Sequence, residues 1–165
     1  KKDKEDYYYD GCDWLDATNK KKTNVWIKAL RPDAEFNIPA YVDCFLSENL
    51  IRKYISENGV APTTRSTKEI ADFKEQETKR KAEANISFDI STADDLVYLG
   101  MDTLALMVDG QPKQNKTSLS RDAIEYKPLR NAVGHTALLT NEAKQKLTTI
   151  YANIKGRLNA LLRGN

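Results

Sequence analysis

Leu147-Thr148-Thr149-Ile150-Tyr151-Ala152-Asn153-Ile154-Lys155-Gly156-Arg157-Leu158-Asn159-Ala160-Leu161-Leu162 repeats large apolar residues at steps of three and four. Such steps follow the 3.6-residue helical turn, whereas a strand facing water on one side alternates every second residue, so this stretch is an amphipathic helix. Thr140 and Glu142 open or re-cap it, a hydroxyl to accept free backbone N–H groups and an acid for the first turn. Its apolar stripe is unbroken, and is read as core or as a dimer seam.

Working outward, Ile38, Tyr41, Val42, Phe45, Leu46, Leu50, Tyr54 and Ile55 keep the same period until Asn58-Gly59 supplies a stop. Ala61 to Ala84 is a far more polar helix, with Ile70 and Phe73 its only large apolar residues, and its Lys79-Arg80-Lys81 ridge reads as a solvated face. Ile86 to Ile90 alternates like a strand but runs into Thr92-Ala93-Asp94-Asp95, a capped helix start, from which Leu96, Val97, Leu99, Leu104, Met107 and Val108 are expected to be buried before Gly110 ends the helix. Ser120 can cap a short helix carrying Ile124 and Tyr126, interrupted or kinked by Pro128, and Pro128 equally suits the first turn of a new helix. The expectation is an all-α chain with helices near 38–57, 65–84, 92–109 and 129–163, the last broken around Thr140.

Residues 1–37 form an N-terminal extension of uncertain structure, and 38–165 the helical domain. The extension combines Tyr7-Tyr8-Tyr9 and Trp14 with Lys20-Lys21-Lys22, a mixture able to stack bases and hold phosphates, although rings packed on the domain with solvated charges are the plainer reading. Val25-Trp26-Ile27 reads as a short strand or a helical turn, ended by Arg31-Pro32-Asp33. At 165 residues, 40% of them hydrophobic, the chain can bury one core. A net charge of +2 from 26 basic and 24 acidic residues permits nucleic acid without arguing for it. Cys12 and Cys44 are 32 residues apart with one histidine in the chain, so neither a metal nor another cofactor is expected, and reduced thiols in a cytoplasmic protein are. No apolar run reaches the roughly 20 residues that span a bilayer, and no signal peptide opens the chain. Beginning at Lys1, the sequence is expected to be a domain excised from a longer protein.

The only histidine, His135, ends Leu129-Arg130-Asn131-Ala132-Val133-Gly134-His135. At roughly 100° per residue Asn131 and His135 share a helix face, while Arg130 lies about 140° from His135 and must reach round. Placed in the opening turns of a helix after Pro128, these residues would also lend its N–H groups to an anion. Gly134 removes a side chain beside His135 and lets another backbone or a substrate come close.

An arginine followed by a polar residue and, five positions on, a histidine, within an all-helical setting, resembles the HEPN family, whose signature is Arg-x(4 to 6)-His. The likeness extends more loosely over residues 38–163. It implies an HEPN-like up-and-down bundle of four to five helices behind the N-terminal extension. It implies, further, a metal-independent endoribonuclease acting as a homodimer, the effector of a toxin–antitoxin, defence or stress system. RNA, a second copy of the chain and a regulatory domain or antitoxin of nucleotidyltransferase or ATPase type are the implied partners, and no membrane. Other members are non-catalytic modules.

The residues suit that chemistry. RNA cleavage needs a base for the 2′-OH, an acid for the leaving 5′-oxygen and positive charge for the phosphorane. His135 can be base or acid, Arg130 can hold phosphate oxygens bidentately, and Asn131 can orient either. One protomer is a histidine short, and a two-fold interface supplies the second. Lys127, Lys113 and Lys116 are the expected substrate-binding cations, the last two on a loop over 111–117. Two alternatives stand beside the nuclease: an HEPN-like module that binds RNA or nucleotide without cutting, and a helical dimerisation domain in which His135 is structural and Arg130 pairs with Glu125 or Asp122.

Overall fold

The computed structural model describes residues 17–89, 94–110 and 118–164, with side chains from residue 21 onward. Five α-helices follow in order: α1 (Ala17–Glu57), α2 (Thr64–Ala84), α3 (Met101–Asp109), α4 (Leu119–Gly134) and α5 (Asn141–Arg163), with a 3₁₀ helix over Asp95–Tyr98 before α3. The described residues contain no strand, so the fold is all-α. The aromatic run at Tyr7, Trp14, the Thr92 cap, and Lys113 and Lys116 on their loop lie outside the described residues. None of the described helices is long and apolar enough to cross a membrane.

The chain divides into two units, Lys1–Ile38 and Pro39–Asn165. In the first, the described part is helix, and it passes straight through Arg31-Pro32-Asp33 rather than ending there. Pro32 removes one N–H bond to the carbonyl of Lys28, and both residues are exposed, so water can take up the freed carbonyl. Val25, Trp26, Ile27 and Leu30 are exposed on this helix, and the Lys22 ammonium sits 5.2 Å from the Trp26 ring centre.

The second unit holds the core. Ala40, Cys44, Ile51 and Ile55 of α1 are buried, as are Met101, Leu104, Ala105 and Met107 of α3, Leu119, Ala123 and Tyr126 of α4, and Leu147, Ile150, Ile154 and Leu158 of α5. Each set repeats at three, four or seven residues, the condition for one helical face to stay dry. The α5 stripe stops earlier than its sequence pattern: Leu158 is 5% exposed, but Leu161 and Leu162 are 39% and 55% exposed. Helix α3 packs on α4 and α4 on α5. A buried Asp122 on α4 joins these last two, accepting from Arg157 Nε at 2.7 Å and Asn153 Nδ2 at 3.3 Å.

Three further segments depart from the periodic reading. The single helix expected over 92–109 is split: Asp94 caps the 3₁₀ turn through the Leu96 N–H, Leu99 is extended, and Gly100 caps α3. Residues 86–89 form no strand. Pro128 neither starts nor ends a helix but sits inside α4. It lies on the wet side, four residues after Ile124, which is 71% exposed, so the carbonyl that Pro128 leaves unpaired faces solvent. What breaks the expected 129–163 helix is the segment 135–140, after which Thr140 accepts from the Ala143 N–H and begins α5.

Candidate functional site

Because α4 runs through Pro128, Arg130 and Asn131 stand in its last turns and His135 is its C-cap. The termination is specific. The Ala137 N–H returns to the Ala132 carbonyl at 2.9 Å and the Thr136 N–H to the Val133 carbonyl at 3.0 Å, the paired bonds of a Schellman stop. That stop needs a left-handed residue, and Thr136 takes it with φ 56°, its hydroxyl donating to the His135 carbonyl. A β-branched residue in this region is strained, by about 1–2 kcal/mol. The expected help from a helix N-terminus is therefore reversed: this end presents carbonyls, which favour cations, so any phosphate here must be held by side chains.

The exposed part of α4 divides into two faces. Ile124, Pro128, Asn131 and His135 are all exposed and fall, at about 100° per residue, within one narrow sector opposite the buried Tyr126. Lys127, Arg130 and Gly134 occupy the flank. An ideal Cβ on Gly134 would lie 3.6 Å from an Arg130 guanidinium nitrogen, an ordinary contact, so the arginine runs along the helix past Gly134.

The flank opens on a cavity of about 530 Å³. Arg65, Glu69 and Phe73 of α2 make one wall, Glu48 and Arg52 of α1 the floor, and Lys127, Arg130 and Asn131 another wall. His135 is not among the residues lining it. Glu48 is the hub: it is paired with Arg52 at 2.8 Å, accepts from the Tyr126 hydroxyl at 3.0 Å and lies 3.5 Å from Arg130 Nε. Arg130 thus pairs with Glu48, not with Glu125 or Asp122, which are taken by Lys146 and Arg157. Arg52 is held on every side, donating also to the carbonyls of Leu96 and Leu99. Lys127 pairs with Asp102 at 2.8 Å. Arg65 is exposed and has no ion pair or hydrogen bond among the described residues. Burial, together with the nearby Glu48 carboxylate, raises the Tyr126 hydroxyl far above its ordinary value, so it serves as a donor and not as an acid or base.

Of the residues singled out in the sequence, Lys127, Arg130 and Asn131 come together on the cavity, and His135 stands outside it on the solvent pole of α4. Arg65, Phe73 and Glu48 carry no motif; Arg65 follows a Pro62-Thr63 helix start and looks like any first-turn residue until α2 is packed. The basic ridge on α2 is spent locally, Lys79 on Glu75 and Lys81 on Asp89. Cys44 is buried, and burial pushes its thiol up to about 11. Among the described residues no three His, Cys, Asp or Glu side chains are grouped to hold a metal. No family model, curated protein or solved structure matches the chain.

Proposed function

We propose that the chain is a homodimeric, metal-independent endoribonuclease with an HEPN-like bundle, its site completed when two α4 ends meet across a two-fold axis. The observation that carries this reading is the outer face of α4, where Ile124, 71% exposed, shares a sector with Asn131 and His135 and is left uncovered by the described residues. An isologous contact along this sector buries Ile124 and brings the two His135 side chains toward the axis. The divergence of Arg130 from His135 supports the same conclusion, since one protomer cannot readily aim both at one phosphate. Across the axis, His135 of one copy takes the 2′-OH proton or protonates the leaving 5′-oxygen, the second His135 does the other, and Arg130 holds the phosphorane oxygens. Asn131 orients the imidazole or the phosphate. An effector role in a toxin–antitoxin, defence or stress system follows the same resemblance.

The test is cleavage of single-stranded RNA in EDTA by the parent chain, by His135→Ala, and by mixed Arg130→Ala and His135→Ala chains. Retained cleavage in EDTA, a loss of about 10² to 10⁴ in rate for His135→Ala, and partial recovery on mixing are expected. Full activity in His135→Ala, or a strictly monomeric active chain, sinks the composite site. A second reading is a non-catalytic module that binds RNA or nucleotide, favoured by the grouping of Lys127, Arg130 and Asn131 on a cavity that His135 does not line. Salt-sensitive binding without product distinguishes it.

A further inference from the structure

The cavity contains a group that phosphate recognition alone does not use. Phe73, on the wall that carries Arg65, is 41% exposed, a large ring left facing solvent at the edge of a charged site. We propose that this cavity is a nucleotide subsite, in which Phe73 stacks a base while Arg65 and Arg130 take the adjoining phosphate. The choice of ligand class rests on the reading that the chain engages RNA, because Arg130 serves both.

Four cations, Arg52, Arg65, Lys127 and Arg130, line the cavity against three carboxylates, Glu48, Glu69 and Asp102. The carboxylates are engaged. Glu48 is occupied by Arg52 and Tyr126, Asp102 by Lys127, and Glu69 accepts from the Gly100 N–H at 3.0 Å and from the Thr103 hydroxyl. The guanidinium capacity left over belongs to Arg65, which has no partner among the described residues, and to Arg130, whose side chain is 53% exposed with one loose contact at 3.5 Å. Two planar forks, one from α2 and one from α4, line the same cavity, and such forks match phosphate oxygens. Arg65 and Phe73 are eight residues apart, about 12 Å along the helix axis, too far for one bare phosphate and suited to a ligand carrying both an anion and a ring. A base is such a ring: stacking on an exposed aromatic needs no particular base edge.

Free nucleotide and RNA strand share this chemistry, and a binding assay separates them. A fluorescent, cleavage-resistant 2′-O-methyl heptanucleotide is titrated by anisotropy at several salt concentrations, with AMP and inorganic phosphate as competitors. The heptanucleotide is expected to bind, Phe73→Ala to weaken it about tenfold and Phe73→Tyr to retain it. Arg65→Gln should also weaken it and reduce the log–log salt slope by about 0.7, the share of one phosphate contact on a single strand. Competition by AMP assigns the subsite to free nucleotide as well; displacement by heptanucleotide alone assigns it to a strand. Absence of binding, parental affinity in Phe73→Ala, or phosphate competing as well as AMP overturns the proposal. Failure of the nuclease reading shows separately, as binding that depends on Phe73 and Arg65 with no cleavage of unmodified RNA. Cleavage that keeps its parental KM in both variants leaves the nuclease and removes the subsite.

Discussion

Deleting the Glu48 carboxylate should destabilise the second unit and loosen Arg130 together. The Glu48 side chain is 15% exposed and faces an Arg52 side chain that is 14% exposed. Removing one member of a well-buried pair costs about 3–5 kcal/mol, mostly by stranding the other charge. Arg52 is not wholly stranded here, since the Leu96 carbonyl at 3.1 Å, the Leu99 carbonyl at 3.2 Å and Asn49 at 3.3 Å remain. The Tyr126 hydroxyl likewise keeps the Cys44 carbonyl at 3.2 Å. The expected loss for Glu48→Ala therefore drops to about 2–3 kcal/mol, and Glu48→Gln, which retains shape and an acceptor for Tyr126, should cost about 1 kcal/mol. Urea unfolding with an unchanged m-value measures both, and a cycle with Arg52→Met isolates the pair. A loss below about 1 kcal/mol for Glu48→Ala refutes the hub argument, because it would mean that water already shares the carboxylate.

Three further outcomes follow from the same geometry. Thr136→Gly should raise stability by about 1 kcal/mol in thermal unfolding, since glycine takes the left-handed C′ position without strain, and a destabilised variant would show that the hydroxyl bond to His135 outweighs it. In a Cys12→Ser background Cys44 should resist alkylation at pH 8 until the protein is unfolded: with its thiol near 11, only about one part in a thousand is thiolate at that pH, and it is buried as well. Glu125 should titrate below its ordinary value near 4.5, because Lys146 hydrogen-bonds it and Arg121 adds to the effect. Its folded pKa is the lower one, so its contribution to stability is present above the unfolded value and is lost as pH falls through the folded value. Carboxyl-carbon NMR should show the midpoint returning upward in Lys146→Met; an unmoved midpoint counts against that pairing.

How much of this was legible in one dimension depends on how local its cause is. Leu147, Ile150, Ile154 and Leu158 were readable as a buried stripe because helical period is set within a turn, and the stop at Asn58-Gly59 placed the end of α1 at Glu57 in the same way. Where that stripe ends is not local: Leu161 continues it in sequence and is 39% exposed, because the described residues leave it only partly covered. Pro32 and Pro128 misled for a related reason. A proline forfeits one hydrogen bond and strains one turn, and a helix otherwise held can absorb that when the freed carbonyl faces water. The cavity was the least legible feature, since its walls come from α1, α2 and α4 and from the Val97–Thr103 stretch. Arg130 could be singled out by its motif; Arg65 and Phe73 had no pattern until helices were packed.

The end of α4 is also where local rules are broken most densely. Within the nine residues from Pro128 to Thr136 the helix accepts a proline in its interior, a glycine in its last turn and a threonine with φ 56° at its stop. By host–guest values these cost about 3, 1 and 1–2 kcal/mol respectively, a sum comparable with the whole net stability of a small domain. A scaffold chosen for stability alone would carry alanine, alanine and glycine there. Each exception instead adjoins the motif: Pro128 shares the exposed outer face with Asn131 and His135, Gly134 lies next to the Arg130 guanidinium, and Thr136 turns the chain away immediately after His135, which is exposed at the helix end. Strain concentrated on one exposed terminus, while Ile150, Leu104 and Ile51 are fully buried, is an added reason to aim the proposed tests at this end of α4.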